Sequence, residues 1–531
     1  MKEPISTSFF GSYRVLALVL LFVMGLSIRL YDLTDLPLDF HPTRQLLSAL
    51  KARGMYYQGR GDVPEWQRQF AVQQWRSKAE IEPEIVERLA AATYSFTGEQ
   101  LWVGRLYSSL FWLIGGFFLF LLARDLVSLD GALITLALYL FLSYAVIASR
   151  SFQPDPLMVM FIIAFWRSVN RWAGFLEPGR REVRKAKTKS SRPSPRSLPR
   201  EWRAGKESWA WAIAAGLLGG LAILVKFSSV FFVIGGGVGV LLGREPLKQA
   251  MRRPQVWAMA ALGVLPGASY LIYGVYIGGF LGRQFGGRFI PPLLVSPAFY
   301  LNWIAALDHV LGGAVLMLAL LGLFFFRERS TRVFVTALWI AYFLYGIFFD
   351  YHIWSHDYYN LPLIPLAALS LAGLADWFMA RLTEAVDGSR RRQIAAASIL
   401  TLGLVAVLLD VHSVLGSSDY RPEAARWMAI SAQLGPQARV TGLTEDYGSR
   451  LAYWGWLDSA AWPLSGDLSY HSDLRGAQDD FQERFAQLAL KRDFFLVTLP
   501  DELDLQPLLK QRLADYPIFA QGGGYVIYDL R

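Results

Sequence analysis

Eleven stretches of the chain are apolar over enough residues to cross a bilayer: 13–30, 102–123, 132–148, 156–172, 209–225, 227–243, 255–277, 303–326, 333–349, 358–378 and 394–411. A span needs roughly 20 apolar residues, somewhat fewer where flanking side chains snorkel. Backbone in hydrocarbon must satisfy its own hydrogen bonds, so each run predicts a helix. A polar pattern takes over between the first two runs, and the outer loop 32–100 predicts amphipathic helices at 43–57 and 83–96. In the second of these, Ile85, Leu89 and Phe96 share a face with Val86 and Thr93 beside them, while Glu84, Glu87 and Arg88 lie opposite. Such helices are expected in the headgroup plane. After the last run the apolar stretches shorten to strand length at 438–443, 494–499 and 525–530. They alternate with helical patterns at 422–434, 479–490 and 505–516, the pattern of a small α/β unit. The triple glycine at 522–524 precedes a strand and reads as a hairpin turn, not a phosphate-binding loop. The predicted fold is a polytopic α-helical membrane domain over 1–412 followed by a small soluble α/β domain over 413–531.

Composition supports this picture. Of 531 residues, 54% are hydrophobic and 18% charged, and mean hydropathy is +0.31, a profile of membrane proteins and not of soluble enzymes. The absence of cysteine excludes disulfides, thiolate zinc sites and a cysteine nucleophile. The net charge of +9 is a topology signal because of its distribution. Segment 180–206, within the basic loop 173–208, carries eleven Lys or Arg against Glu182 and Glu201, and the links 244–254, 327–332 and 380–393 are also basic. With eleven spans all four fall on the side of the N-terminus, which the positive-inside rule assigns to the cytoplasm. No A-x-A-like cleavage site follows the first run, which therefore reads as a retained anchor. The expected location is the inner (plasma) membrane, multi-pass, with residues 413–531 (net charge −5) outside the cytoplasm. No nucleic-acid partner is expected.

That topology gathers polar groups on the outer face. LPLDFHPTRQ at 36–45 holds Asp39, His41 and Arg44, with Pro37 and Pro42 keeping the backbone extended or turning. Glu82 and Pro83 precede the second amphipathic helix. Arg150, Gln153 and Asp155 lie in SRSFQPDPLM, Lys226 in LAILVKFSSVFF, and His352, His356, Asp357 and Tyr359 in DYHIWSHDYYNLP. Ionisable groups at membrane depth are site candidates because lipid penalises them. Plainer alternatives exist: Asp155 as a helix cap, Lys226 as a snorkelling side chain, His352 and Tyr351 as interfacial belt residues.

The order of these motifs resembles the GT-C glycosyltransferases that use polyprenyl-phosphate sugars, which include the protein O-mannosyltransferases and the bacterial lipid A aminoarabinose transferase. The resemblance covers roughly residues 10–380. EPEIVERLAAATYSFTGEQLWVGRLYSSLFWLIGG is similar to the family's E-x-P, helix, Gly-Glu turn and Arg at the head of span two (Glu82, Pro83, Gly98, Glu99, Arg105). ASRSFQPDPLM, ILVKFSSVFF and HDYYNLPLIPLAAL resemble its A-R…x-D-P, L-x-K-G/F and H-x-Y-Y-x-L-P-x-x-P segments. One departure stands out: where relatives carry H-P-D-E or D-E ahead of an Ala-Arg pair, here Ala52-Arg53, this chain has Thr43-Arg44, and the nearest carboxylate is Asp39.

The resemblance implies a membrane glycosyltransferase (hexosyl- or pentosyltransferase) that moves a sugar from a polyprenyl-phosphate donor to a lipid, polysaccharide or protein acceptor. One-step displacement would invert the anomeric centre. It assigns the base to Asp39 or His41 and the donor phosphate to Arg44, Lys226 and His356. Glu82, Asp155, Asp357 and Tyr359 would orient substrate or a metal. Some relatives bind a metal near the position resembling Glu82 together with a histidine, so a divalent ion held by Glu82 and His356 is left open. The rival readings are a secondary transporter or lipid flippase, which would set its charges near mid-membrane, and a scaffold anchored by its spans.

Overall fold

The computed structural model describes residues 9–176, 200–282, 289–474, 476 and 480–531. Most of the basic segment 180–206, part of the expected outer loop 280–302 and the start of the pattern at 479–490 therefore lie outside the described residues. Each of the eleven apolar runs is a helix or a broken helix. Among the described residues, seven helices are long and apolar enough to cross a membrane, or nine if each of two bent pairs counts as one span. The eleven-span expectation is not met on that standard, and the two runs that fall short are the helices Arg14–Leu30 and Asp155–Ala173.

Both bends have identifiable causes. Leu129–Phe141 and Ser143–Ser149 meet at 62°, and the break frees backbone carbonyls. Arg29, fully buried at the end of the first helix, fills the gap: it donates to Leu140 O (3.0 Å), Gly25 O (2.9 Å) and Ser149 Oγ (2.8 Å). The run read as one span over 303–326 is bent by 91° between Pro297–Leu311 and the segment from Gly313. Gly312 turns the corner with φ +77°, in a region that penalises a Cβ. Asp308 fixes the corner by accepting from Gly312 N through its carbonyl (2.7 Å) and from Gly313 N through its carboxylate (2.7 Å). Elsewhere the helices approach closely. A Cβ on Gly220 would come within 2.3 Å of Leu262 O, so only glycine lets Arg200–Val225 lie against Pro254–Ile272.

The first outer loop holds three helices, Pro42–Gln58, Glu65–Ser77 and Ile85–Thr97; the middle one has no strong apolar period and was not foreseen. The two faces of Ile85–Thr97 are distinct. Glu87 is buried and accepts from Ser48 Oγ (2.8 Å), beside Val86, Ala90 and Tyr94. Leu89 and Phe96 are 37% and 90% exposed. Small residues let this helix pack on the protein, which leaves its bulky apolar side chains pointing away.

The C-terminal sheet runs β2-β1-β3-β5-β4, with β1 (Val440–Leu443) parallel to β2 (Ser459–Ala461) and β3 (Phe494–Val497), and β5 (Tyr525–Asp529) antiparallel to β3 and β4 (Ile518–Gly522). Side chains alternate across β3: Phe494 and Leu496 meet Trp427 and Ile430 of helix Arg421–Leu434, whereas Phe495 and Val497 join Trp462 and Phe485 on the other face. With both faces covered, the strand reads as a continuous apolar run. Gly523 and Gly524 (φ +78°) make the β4–β5 hairpin turn. This unit is tied to the first outer loop. Arg53 donates to Glu99 (2.7 Å) and to Tyr453 O (2.5 Å) and stacks on the rings of Tyr453 and Trp456. Arg421 pairs with Asp32, and Thr43 donates to Asp446 (2.8 Å).

Candidate functional site

The backbone of LPLDFHPTRQ splays its polar side chains. His41 caps helix Pro42–Gln58 in the left-handed region (φ +42°, ψ +64°), with Pro42 opening the first turn. A histidine in that region costs on the order of 1–3 kcal/mol and is held by its surroundings. On one side of this corner, Asp39 meets the buried Arg105 and lies 3.8 Å from Arg150 Nε. On the other, the His41 imidazole pairs through Nε2 with Asp357 Oδ1. One turn on, Arg44 donates to both oxygens of Glu82 (3.1 and 3.3 Å). Gln45 braces the corner, donating to Phe40 O (2.7 Å) and accepting from Phe152 N (2.8 Å).

A second segment, His352–Asn360, supplies the centre. Buried Asn360 folds it, donating to Ile353 O (2.8 Å) and accepting from Tyr342 of the preceding long helix (2.5 Å). Tyr358 then becomes a hub. The His41 ring meets it edge-on at 4.8 Å, the Arg44 guanidinium lies 5.7 Å from its centroid, and Lys226 Nζ 4.9 Å away. Lys226 is also 4.8 Å from the Tyr359 ring. Aromatic faces attract both cations and help to fix their positions.

Lys226 and Asp155 form a buried ion pair at 2.7 Å, both under 7% exposed. The snorkelling alternative for Lys226 thus does not describe it. Asp155 makes no capping bond, and its Oδ2 is buried without a hydrogen-bond partner among the described residues, as are both polar atoms of the Gln153 amide. His352 stacks at 5.3 Å on both His356 and Tyr359, while Tyr351 packs on Tyr470 of the C-terminal unit. Both are half-buried against these protein neighbours.

Charge follows geometry. Burial works to lower the Arg44 pKa, but Glu82, Tyr358 and Asp155 outweigh it and hold the guanidinium above its usual value. His356 is lowered to about 4, first by burial and then by His41, Arg44 and Lys226, so it is neutral at physiological pH. The unfolded chain would protonate this ring near pH 6.5. Between that value and about 4 the unfolded state binds more protons, and stability falls as pH falls. Thermal unfolding in detergent should therefore show a Tm that declines from pH 7 to 5, with a shallower decline in His356→Asn.

The candidates Arg44, Glu82, Asp155, Lys226, His41, Asp357, Tyr359 and His356 thus come together around Tyr358, whereas Asp39 faces Arg105 and Arg150 on the adjoining side. Glu82 is engaged with Arg44, and His356 Nδ1 lies 2.9 Å from Ser355 Oγ. Among the described residues no group of three or more His, Asp or Glu side chains is arranged to hold a metal ion. Two members of the cluster escaped sequence reasoning. Tyr358 was read only as part of a motif. His309, 3.3 Å from Asp357 Oδ2, was taken as span interior. An Asp-His pair followed by Gly-Gly inside an apolar run is a signal that could have found it.

A small cavity of about 20 Å³ lies beside this cluster, with Glu82, Lys226, Ile223, Phe227, Leu271 and Leu281 in its lining.

Residues 82–172 match the sequence family described as dolichyl-phosphate-mannose-protein mannosyltransferase. The fold is similar to ArnT from Cupriavidus metallidurans bound to undecaprenyl phosphate, with TM-score 0.52 and 15% identity over 97% of this chain and 98% of that one. It is similar also to the archaeal oligosaccharyltransferase AglB from Archaeoglobus fulgidus in complex with an inhibitory peptide and a dolichol-phosphate. There the TM-score is 0.53, with 11% identity over 95% of this chain and 72% of that one. A sequence search of curated proteins finds no match. The overall fold is thus similar to those of ArnT and AglB.

Proposed function

We propose that this chain is an integral-membrane glycosyltransferase that moves a sugar from a polyprenyl phosphate to an acceptor outside the cytoplasm, with inversion at the anomeric carbon. The observation that carries the reading is the gathering of two cations, Arg44 and Lys226, each held by a carboxylate (Glu82 and Asp155), on the rings of Tyr358 and Tyr359. Fixed cations are what the phosphate of a polyprenyl-phosphate donor requires. ArnT and AglB, whose structures hold undecaprenyl phosphate and dolichol-phosphate, support this by their shared fold.

Displacement needs a base for the acceptor hydroxyl and fixed positive charge where the leaving phosphate gathers negative charge. Arg44 and Lys226 answer the second need at no reorganisation cost. For the first, His41 suits better than Asp39. The Asp39 carboxylate is already paired with Arg105, with Arg150 close by, and lies on the adjoining side of the corner from Tyr358. His41 gives its Nε2 proton to the Asp357 contact, which leaves Nδ1 to take the proton. Asp155, with one oxygen on Lys226 and the other unpaired, is suited to a sugar hydroxyl, and Glu82 keeps Arg44 in place.

Purified protein in nanodiscs, given a panel of radiolabelled polyprenyl-phosphate sugars, should release or transfer sugar, with the product anomer opposite to that of the donor. Absence of both with every donor, or vectorial movement of an intact lipid or solute without bond cleavage, would overturn this reading in favour of a transporter.

A further inference from the structure

The corner at Gly312 has a chemical consequence. Were 303–326 one straight span, His309 would be one of its interior residues. The 91° break instead leaves His309 64% exposed on its side chain, with Nε2 3.3 Å from Asp357 Oδ2. His41 Nε2 lies on the other oxygen of the same carboxylate. One aspartate is thus clasped between two imidazoles, one from the outer loop and one from the bent span. Tyr144 closes a third side, its ring 5.5 Å from that of His309 and 5.6 Å from that of Phe40.

We infer that His309 is a positioning residue for His41: by engaging the second oxygen of Asp357 it turns the carboxylate edge towards His41 and shares its charge. The inference rests on the transferase reading for its role, and on geometry for its existence. A carboxylate with one partner is free to rotate about its Cβ–Cγ bond, whereas one gripped at both oxygens presents a fixed acceptor. The fixed acceptor keeps the His41 proton on Nε2 and so keeps Nδ1 open for the acceptor's proton. Tyr358, Tyr359, His356, Arg44, Lys226 and Asp155 are further charged or titratable groups near this trio. Asp308 is already committed to the corner, through Gly313 N at 2.7 Å, and this rigidity holds His309 in place.

The test uses the full-length protein in nanodiscs. His309→Ala should lower kcat roughly tenfold while KM for the donor stays within about twofold, as expected when an orienting group and not a binding group is lost. His309→Gln, which can still donate one N–H to Asp357, should recover most of the plateau rate. Added imidazole should restore rate to the alanine variant, since the position opens to solvent. Imidazole 15N shifts provide a readout independent of turnover: the His41 ring should keep its proton on Nε2 in the parent and in His309→Gln, and populate both tautomers in His309→Ala. An unchanged kcat with an unchanged His41 tautomer in His309→Ala would overturn the inference. If the parent transfers no sugar but the His41 tautomer shifts in His309→Ala, the clasp stands and the transferase reading falls.

Discussion

Replacing Lys226 with methionine is expected to abolish measurable transfer and to destabilise the protein by about 3–5 kcal/mol, the cost of leaving a buried partner charge unmatched. Asp155 is fully buried, and its Oδ2 already lacks a hydrogen bond, so once the 2.7 Å contact is lost only the more distant Arg44, itself paired with Glu82, offsets its charge. The double variant Lys226→Met with Asp155→Leu separates the two effects. An apolar pair of similar volume should bring thermal stability back to within about 1–2 kcal/mol of the parent, because removing both members of a buried pair is often neutral. Turnover should stay depressed by about 10²–10³-fold, the range for losing one preorganised charge-stabilising donor. Unfolding midpoints and transfer rates measured on the same samples decide the matter. A stable double variant that turns over normally would remove Lys226 from the donor site.

His41→Ala should lower kcat by about 10²–10⁴-fold, the range for a general base, with little change in donor binding. Asp357→Asn should fall in the same direction, and the double variant should be scarcely worse than His41→Ala alone, because two groups acting as a unit are not additive. Asp39→Asn makes the contrast. Its carboxylate faces Arg105 and Arg150, two guanidinium groups that would be left buried together. Lost stability, seen as a lower Tm, should therefore exceed any direct loss of rate. Should Asp39→Asn fold normally and be inert while His41→Ala still turns over, the two roles would have to be exchanged.

Much of this was legible before any coordinates. Hydropathy located every long helix, because a run of apolar residues in lipid has few alternatives. Polar motifs at the run ends marked most of the cluster, because ionisable groups persist there against a penalty. What was not legible depends on long-range pairing. Nothing local to Lys226 points to Asp155, and nothing near His41 points to Asp357, since both contacts arise only when separate helices pack. Periodicity separated the two faces of helix Ile85–Thr97 but could not say that Glu87, with the small Ala90 and Ala91, packs against the protein. Helix Glu65–Ser77 and the short strands β2 and β4 carry too weak a pattern to be read alone, since edge strands and polar helices depend on what they lie against. His309 was hidden by averaging, because an apolar window over 303–326 smooths over a glycine corner.

The buried Arg29 bears on how such a chain is assembled. When the first helix leaves the ribosome, its guanidinium has only Gly25 O for a protein acceptor and must otherwise reach for water. The remaining acceptors, Leu140 O and Ser149 Oγ, are synthesised more than a hundred residues later. Docking of the amino-terminal helix is therefore a late event in biogenesis, conditional on the kinked hairpin partner having been inserted. A nascent chain stalled before residue 149 would carry a membrane anchor whose inward face is not yet complete.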